Sequence, residues 1–330
     1  MNEVNLVFGP VPSRRLGRSL GINNVPPKTC TYSCVYCQLG RTLRMETERR
    51  SFYAPEEIVR AVQTKLADLQ NRGEEVDYLT FVPDGEPTLD VNLGKEIQTL
   101  KDLGIPIAVI TNASLVYRKD VQEDLSLADW VSLKVDGGGE SLWRRINRPH
   151  KILSFATIQA GIREFSRAFG GTLATETMLV SGMNGSPAEL DRIAYLLGSV
   201  QPVVAHLSIP TRPPAEGWVR PPAEEALVRA YAIVSEWVRR VELLVGYEGD
   251  AFAASGDART DLLSITAVHP MREEAVRALL ARDSADWEVV EDLIQAGALV
   301  ELAYGGHRFY MRALPGRRRS RRPFQGGRER

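Results

Sequence analysis

The chain has 330 residues, 44% of them hydrophobic and 25% charged, which describes an ordinary globular protein with room for a sizeable core and about two domains. No apolar run approaches the roughly 20 residues of a membrane helix, and the opening MNEVNLVFGP lacks a basic-then-apolar leader, so the expected location is cytoplasmic. Residues 317–330 hold seven Arg and one Glu, leaving 34 basic against 41 acidic residues elsewhere, which excludes general nucleic-acid affinity for the body and leaves it open for the tail.

Taken in chain order, short β-rich runs fall at 20–25, 78–82, 105–111, 130–136, 173–180, 203–209 and 241–247. Most are continuously apolar, as strands covered on both faces tend to be. Amphipathic stretches lie between them. Ala54-Pro55-Glu56-Glu57 opens one helix with Pro and acid in its first turn, and Gly73 follows its end; Ser186-Pro187 and Pro222 start others. A strand–helix unit repeated every 25 to 40 residues predicts a parallel sheet with right-handed crossovers, in an α/β fold of the full or partial barrel type.

After Asp257 the pattern changes. Residues 261–268 and 272–282 read as short helices, Asp286 or Ser284 as the cap of a third helix ending at Gly297, and 299–304 with 307–312 as a hairpin around Gly305-Gly306. Three helices and a hairpin predict a winged-helix-like domain. The expected division is 1–250 for the barrel, 257–313 for the winged helix and 314–330 for a disordered Arg-rich tail.

All three cysteines, Cys30, Cys34 and Cys37, lie in the segment CTYSCVYC. A disulfide framework needs an even count spread over distant elements, so the group reads as a metal site. Structural zinc usually takes four ligands, and the nearest His is His150. Inert buried thiols are unusual on a polar loop. An iron–sulfur cluster is the remaining reading: three thiolates on a [4Fe–4S] cube leave one iron for an exogenous molecule.

This segment resembles the cluster loop of radical S-adenosylmethionine (SAM) enzymes, whose motif is C-x3-C-x-aromatic-C, with Tyr36 in the aromatic position. Phe81-Val82-Pro83-Asp84-Gly85-Glu86-Pro87 resembles the family's GGEP segment, whose backbone and acid receive the SAM amino group; Asp84 stands where the first Gly is usual. Ser132, Lys134 and Asp136 share one side of a strand that resembles the one binding the SAM ribose and carboxylate. Thr111-Asn112 ends the preceding strand similarly, and Glu176-Thr177-Met178 resembles a weaker SAM-contact strand. The resemblance implies a partial (β/α)6-type TIM barrel over residues 9 to 247, with Cys30, Cys34 and Cys37 as metal ligands. It further implies SAM contacts at Tyr36, Asp84, Gly85, Glu86, Pro87, Asn112, Ser132, Lys134, Asp136 and Thr177. The implied cofactors are a [4Fe–4S] cluster and SAM, and the implied partner is a ferredoxin or flavodoxin. The implied reaction is reductive cleavage of SAM to methionine and a 5′-deoxyadenosyl radical that takes hydrogen from a substrate.

The segments GPVPSRRLG at 9–17, Cys37-Gln38-Leu39-Gly40-Arg41-Thr42 and Arg144-Arg145-Ile146-Asn147-Arg148-Pro149-His150 are similar to a branch of iron–sulfur oxidoreductases grouped with the wybutosine-biosynthesis enzymes that modify tRNA. Those enzymes carry extra cysteines for a second cluster, which this chain lacks. The Arg-rich turns suit either substrate phosphate and carboxylate groups or nearby acids. Residues 260–313 hold nine acidic and five basic residues, and the third helix carries Glu288, Glu291 and Asp292, which opposes insertion into a DNA groove. Docking on the barrel or holding a protein partner is the expected role. The substrate classes to test are RNA and peptide; the competing reading is an iron–sulfur regulator acting through the winged helix without catalysis.

Overall fold

A computed structural model describes residues 6–244, 256–268, 270–304 and 306–313. The chain opens with an antiparallel pair, β1 (Val7–Ser13) and β2 (Gly17–Ile22), and a small parallel pair, β3 (Thr29–Cys30) and β4 (Arg44–Met45), brackets the cysteine loop. Strands and helices then alternate: α1 (Pro55–Asn71), β5 (Tyr78–Phe81), α2 (Leu93–Leu100), β6 (Ile107–Thr111), α3 (Lys119–Ser126) and β7 (Trp130–Lys134). Two helices, α4 (Glu140–Asn147) and α5 (Phe155–Ala168), precede β8 (Thr172–Met178). The alternation ends with α6 (Pro187–Val200), β9 (Val204–Ser208), α7 (Glu224–Ser235) and β10 (Val241–Leu244).

The main sheet has the order β1-β2-β5-β6-β7-β8-β9-β10, with every pair parallel except β1–β2. β1 and β10 are its two edges, so the curled sheet is a partial barrel. Period-two alternation sorts its residues. Leu79, Phe81, Val109, Val131, Leu133 and Leu207 turn outward into one core with Ile58, Val62, Ile97 and Leu197 of the helices. Tyr78, Ala108, Ile110, Trp130, Ala174 and Val204 turn inward, where Leu16 joins them at the floor of the barrel. Above that floor the inward positions become polar.

Each predicted strand is present, most with trimmed ends; β2 is shifted to Gly17–Ile22 and β8 begins one residue earlier, at Thr172. The third begins at Ile107 because Pro106 has no N–H for the ladder, although its carbonyl accepts from the Leu79 N–H. Residues 245–247 of the last lie outside the described residues. β1 is an addition: its register shifts between Phe8 and Val11, around Gly9-Pro10, and this breaks the pattern that marks strands in sequence. Phe8 lies flat on Gly21, where a Cβ would fall 2.0 Å from its ring. α6 starts at Pro187 as predicted, whereas α7 starts at Glu224, two residues past Pro222.

The C-terminal unit consists of α8 (Ala258–Val268), β11 (Met271–Arg272), α9 (Glu273–Arg282), α10 (Glu288–Gln295), β12 (Leu299–Tyr304) and β13 (His307–Arg312), with its strands ordered β11-β13-β12. The three helices and the hairpin follow the expected order; β11 is an addition, too short to leave a periodic trace. Ser284 does not cap α10: it takes a positive φ of 52° in the turn leaving α9, and Trp287 is the residue preceding α10. Leu262, Ile265, Met271, Val276, Leu279, Val290, Leu293 and Tyr310 form the unit's own core. The Arg-rich tail and Gly305 lie outside the described residues. No helix among the described residues is long and apolar enough to cross a membrane.

Beneath the segment following β5, Glu96 of α2 is wholly buried near Asn24, whose amide donates to the Pro87 carbonyl at 3.1 Å. Burial, with Asp90 nearby, pushes the Glu96 carboxyl up to about 9. The folded protein therefore holds it protonated at neutral pH while the unfolded chain ionises it, so stability falls as pH rises from about 4.5 toward 9. Glu96→Gln is expected to raise stability at pH 8 by about 2 kcal/mol and to change little at pH 4.5. Thermal unfolding at the two pH values checks this; an equal gain at both would contradict it.

Candidate functional site

The three thiols sit at the C-terminal rim of the sheet, on the loop that leaves β2. That loop is pinned by its backbone: Ser33 N–H donates to the Asn147 carbonyl at 3.0 Å, Val35 N–H to the Ile146 carbonyl at 2.9 Å, and Glu216 N–H to the Val35 carbonyl at 3.0 Å. Tyr32 packs edge-on against Trp143 of α4 and accepts its indole N–H at 3.0 Å. The loop thus rests on the end of α4 and on residues 210–222 after β9.

Two arginines tighten this seat. Arg41 donates twice to Glu216, at 2.8 and 3.0 Å, and Arg148 bonds the same carboxylate. Glu216 is 8% exposed, and these partners hold its carboxyl below the usual range. Arg212 donates to Gln38, next to Cys37, at 2.9 Å. Arg144 pairs with Glu140 on its own helix. The Arg-rich turns left open by the sequence therefore spend Arg41, Arg144 and Arg148 on protein acids.

Each thiol is partly buried, and burial pushes all three up, Cys34 to about 12. Asn112 directs its amide to the Cys30 sulfur at 3.4 Å, and Asn147 does the same for Cys34 at 3.4 Å. Thiolates confined together in a dry loop need cationic compensation, and side-chain amides aimed at sulfur fit a cluster's outer hydrogen bonds. Among the described residues no three His, Cys, Asp or Glu side chains close on a point suited to a single metal ion.

The residues expected around SAM divide into those that line the rim and those that build it. Lys134 and Ser132 both turn inward, and the Lys134 ammonium stands 5.1 Å over the Tyr36 ring. The Tyr36 hydroxyl donates to Asp136. Asp136 also accepts from the Asn147 amide at 2.7 Å and the Met178 N–H at 2.8 Å, so it orients Tyr36 and α4. Asp84 is 4% exposed, and its Oδ1 has no hydrogen-bond partner among the described residues. Burial raises its carboxyl to about 7 against the opposing charges of Lys28 and Arg312.

Glu86 does not serve as the free acceptor expected for an amino group. Its Oε1 accepts from Thr88 N–H, Thr88 Oγ1 and Thr111 Oγ1, and its Oε2 accepts from Asn112 N–H at 2.8 Å. The carboxylate instead braces the end of β6 against the turn that starts at Pro87. Gly85 is required by the protein itself, since a Cβ there would lie 2.0 Å from the Thr29 carbonyl. Pro87 accepts from Asn24, and Asn112 faces Cys30 and Thr31. Thr177 is one residue out of phase: it shares the outward side with Leu173, and its hydroxyl donates to the Val135 carbonyl at 2.7 Å.

The inward residue of that strand is Glu176, which accepts from Lys134 at 2.8 Å and Ser208 at 2.9 Å and pairs with Arg15, reaching in from the β1–β2 turn. Burial opposes its ionisation, but Lys134 and Arg15 hold it well below the usual carboxylate range; Lys134 is correspondingly raised above the usual lysine value despite its own burial. Two cations thus face the Glu176 carboxylate, and the negative charge of Asp136 also acts on Lys134. His206 lies inward on β9 with its Nε2 3.5 Å from Glu242, and burial lowers it, keeping the ring neutral. His206 and Glu216 stood in none of the sequence motifs, while Arg15 and Glu176 lay inside motif segments without being singled out as contacts; alternation along β8 was the further signal pointing to Glu176.

Comparison with known proteins adds three findings. The sequence profile of the Radical SAM superfamily matches residues 24–192. A UPF0026 protein of Methanocaldococcus jannaschii is 44% identical over 316 residues, spanning 95% of this chain and 98% of that one. Among solved structures, TYW1 with a lysine-pyruvate adduct bound aligns at TM-score 0.52 and 15% identity over 66% of this chain and 73% of that one. A radical SAM methyltransferase of Sphaerobacter thermophilus aligns at 0.50 and 17%, over 69% and 66%. These two likenesses show the shared fold.

Glu216→Gln weakens both arginine contacts and is expected to cost about 1 kcal/mol at pH 7. Because the Glu216 pKa is depressed below its ordinary value of 4.5, the contribution is full above that value and fades as pH falls below it through the lowered pKa. Urea unfolding at pH 7 and about pH 3 should show a smaller difference at the lower pH; an equal or larger difference there would refute the assignment.

Proposed function

The chain belongs to the radical SAM superfamily and is an enzyme of that kind, working with a [4Fe–4S] cluster and SAM, and we propose how its residues divide the work. Cys30, Cys34 and Cys37 hold three irons and leave the fourth to SAM. The observation that carries this reading is the meeting, on one rim, of three partly buried thiols with the Arg15–Glu176–Lys134 group and the Tyr36–Asp136 pair. When bound, the reduced cluster supplies the electron that cleaves the SAM sulfonium bond to methionine and a 5′-deoxyadenosyl radical.

The protein's contribution is placement. Lys134, kept protonated by Glu176, receives the SAM carboxylate, and Arg15 supports it from the floor. Asp84 offers the SAM amino group the buried acceptor that Glu86 has spent on the fold. Tyr36, fixed by Asp136, presents its ring edge to the adenine, and Ser132 lies below on the same strand. Asn112 and Asn147 direct N–H groups at the sulfurs and tune them. A ferredoxin or flavodoxin supplies the electron, and the radical removes hydrogen from a substrate admitted at the rim, RNA and peptide being the classes to screen.

Lys134→Gln separates cofactor placement from cluster assembly. Loss of a charge-assisted contact of about 1.5–3 kcal/mol predicts SAM binding weakened by about 10- to 100-fold with iron and sulfide content unchanged. Equilibrium dialysis of SAM against anaerobically reconstituted protein reads the first quantity and metal analysis the second. Unaltered SAM affinity would remove Lys134 from the site.

A further inference from the structure

The C-terminal unit touches the barrel at two places that lie on opposite sides of its mouth. On one side, α8 packs on the edge strand β1, and Val11 of that strand joins the unit's core. On the other side, the Tyr304 hydroxyl at the end of β12 donates to the Pro210 carbonyl at 3.0 Å, just past the end of β9. β1 and β9 are separated in the sheet by β2, β5, β6, β7 and β8. The hairpin therefore spans the concave side of the sheet, where the partial barrel is open.

The burial of the hairpin agrees. Tyr310 packs into the unit's own core with Trp287. Alternation and register put Phe309 and Met311 on the opposite face, together with Tyr304, and both are completely buried although neither belongs to that core. This is the face whose Tyr304 bonds Pro210. The segment it bonds also carries Arg212 and Glu216, which hold the cysteine loop.

We infer that the C-terminal unit is the closing wall of the reaction chamber, that substrate meets the cofactors beneath the β12–β13 hairpin, and that Tyr304 is the positioning residue that keeps it shut. This rests on the proposed function for what the chamber holds. It assigns the unit a place in the site, and it occupies the hairpin with the barrel, leaving it no role as a wing on nucleic acid.

The chain's cysteines number three, all at the site, so a thiol reagent reports access with no cofactor present. Full-length, reduced, cofactor-free protein is mixed anaerobically with 5,5′-dithiobis(2-nitrobenzoate) and the modification rate is followed. Tyr304→Phe is expected to raise that rate by about fivefold, the effect of one lost hydrogen bond on an opening equilibrium. Arg277→Gln, on α9 beside Trp287 and away from the mouth, is the control and should match the parent. A parent-like rate in Tyr304→Phe, or equal acceleration by Arg277→Gln, would overturn the inference. Oxygen bleaching of the reconstituted cluster should follow the same order among variants. If the parent protein assembles no cluster, the proposed function fails while the thiol rates still decide the role of the unit.

Discussion

Three thiols held together away from water form the constraint on which the rest depends. As thiolates they are costly in a dry loop, and burial pushes each of them toward the neutral form. A metal cluster reverses that balance, but only if the loop cannot relax and separate the sulfurs. The surrounding structure supplies the rigidity: backbone bonds to the end of α4, the Glu216 carboxylate shared by Arg41 and Arg148, and amides of Asn112 and Asn147 turned to the sulfurs. These restraints come from widely separated parts of the sheet's C-terminal rim, which is why a seven-strand parallel arrangement is needed to bring them together.

The same alternation that builds the core prepares the charged half of the site. Outward residues of β5 to β9 are apolar and meet the helices, while the inward ones pass from Trp130 and Ala174 at the floor to Lys134 and Glu176 near the rim. A buried lysine is tolerated there because Glu176 faces it, and Glu176 is tolerated because Arg15 faces it too. The group is thus stable before any ligand arrives.

How much of this was legible depended on distance along the chain. The cysteine loop was readable because its three thiols lie within eight residues, and the shared inward side of Ser132 and Lys134 because a polar pair two apart in an apolar strand points one way. Thr177 lies one residue out of phase: in a strand with no polar–apolar alternation the sequence does not say which phase faces inward, and Glu176 holds that face. The partners of Glu86 were hidden for another reason, since the donors at Thr111 and Asn112 arrive only when β6 lies beside β5. The pairs Arg15–Glu176, Arg41–Glu216 and Tyr304–Pro210 join residues close to a hundred or more positions apart, and no local pattern announces them.

The account stands or falls on whether these thiols support SAM chemistry. The direct measurement is chromatographic detection of 5′-deoxyadenosine after anaerobic reconstitution with iron and sulfide, reduction by dithionite and addition of SAM. Parallel samples carry Cys30→Ala, Cys34→Ala and Cys37→Ala. The account predicts 5′-deoxyadenosine from the parent and none above background from any of the three variants. A parent that binds iron and SAM yet releases no 5′-deoxyadenosine under any reductant, or a cysteine variant that releases as much as the parent, would contradict it.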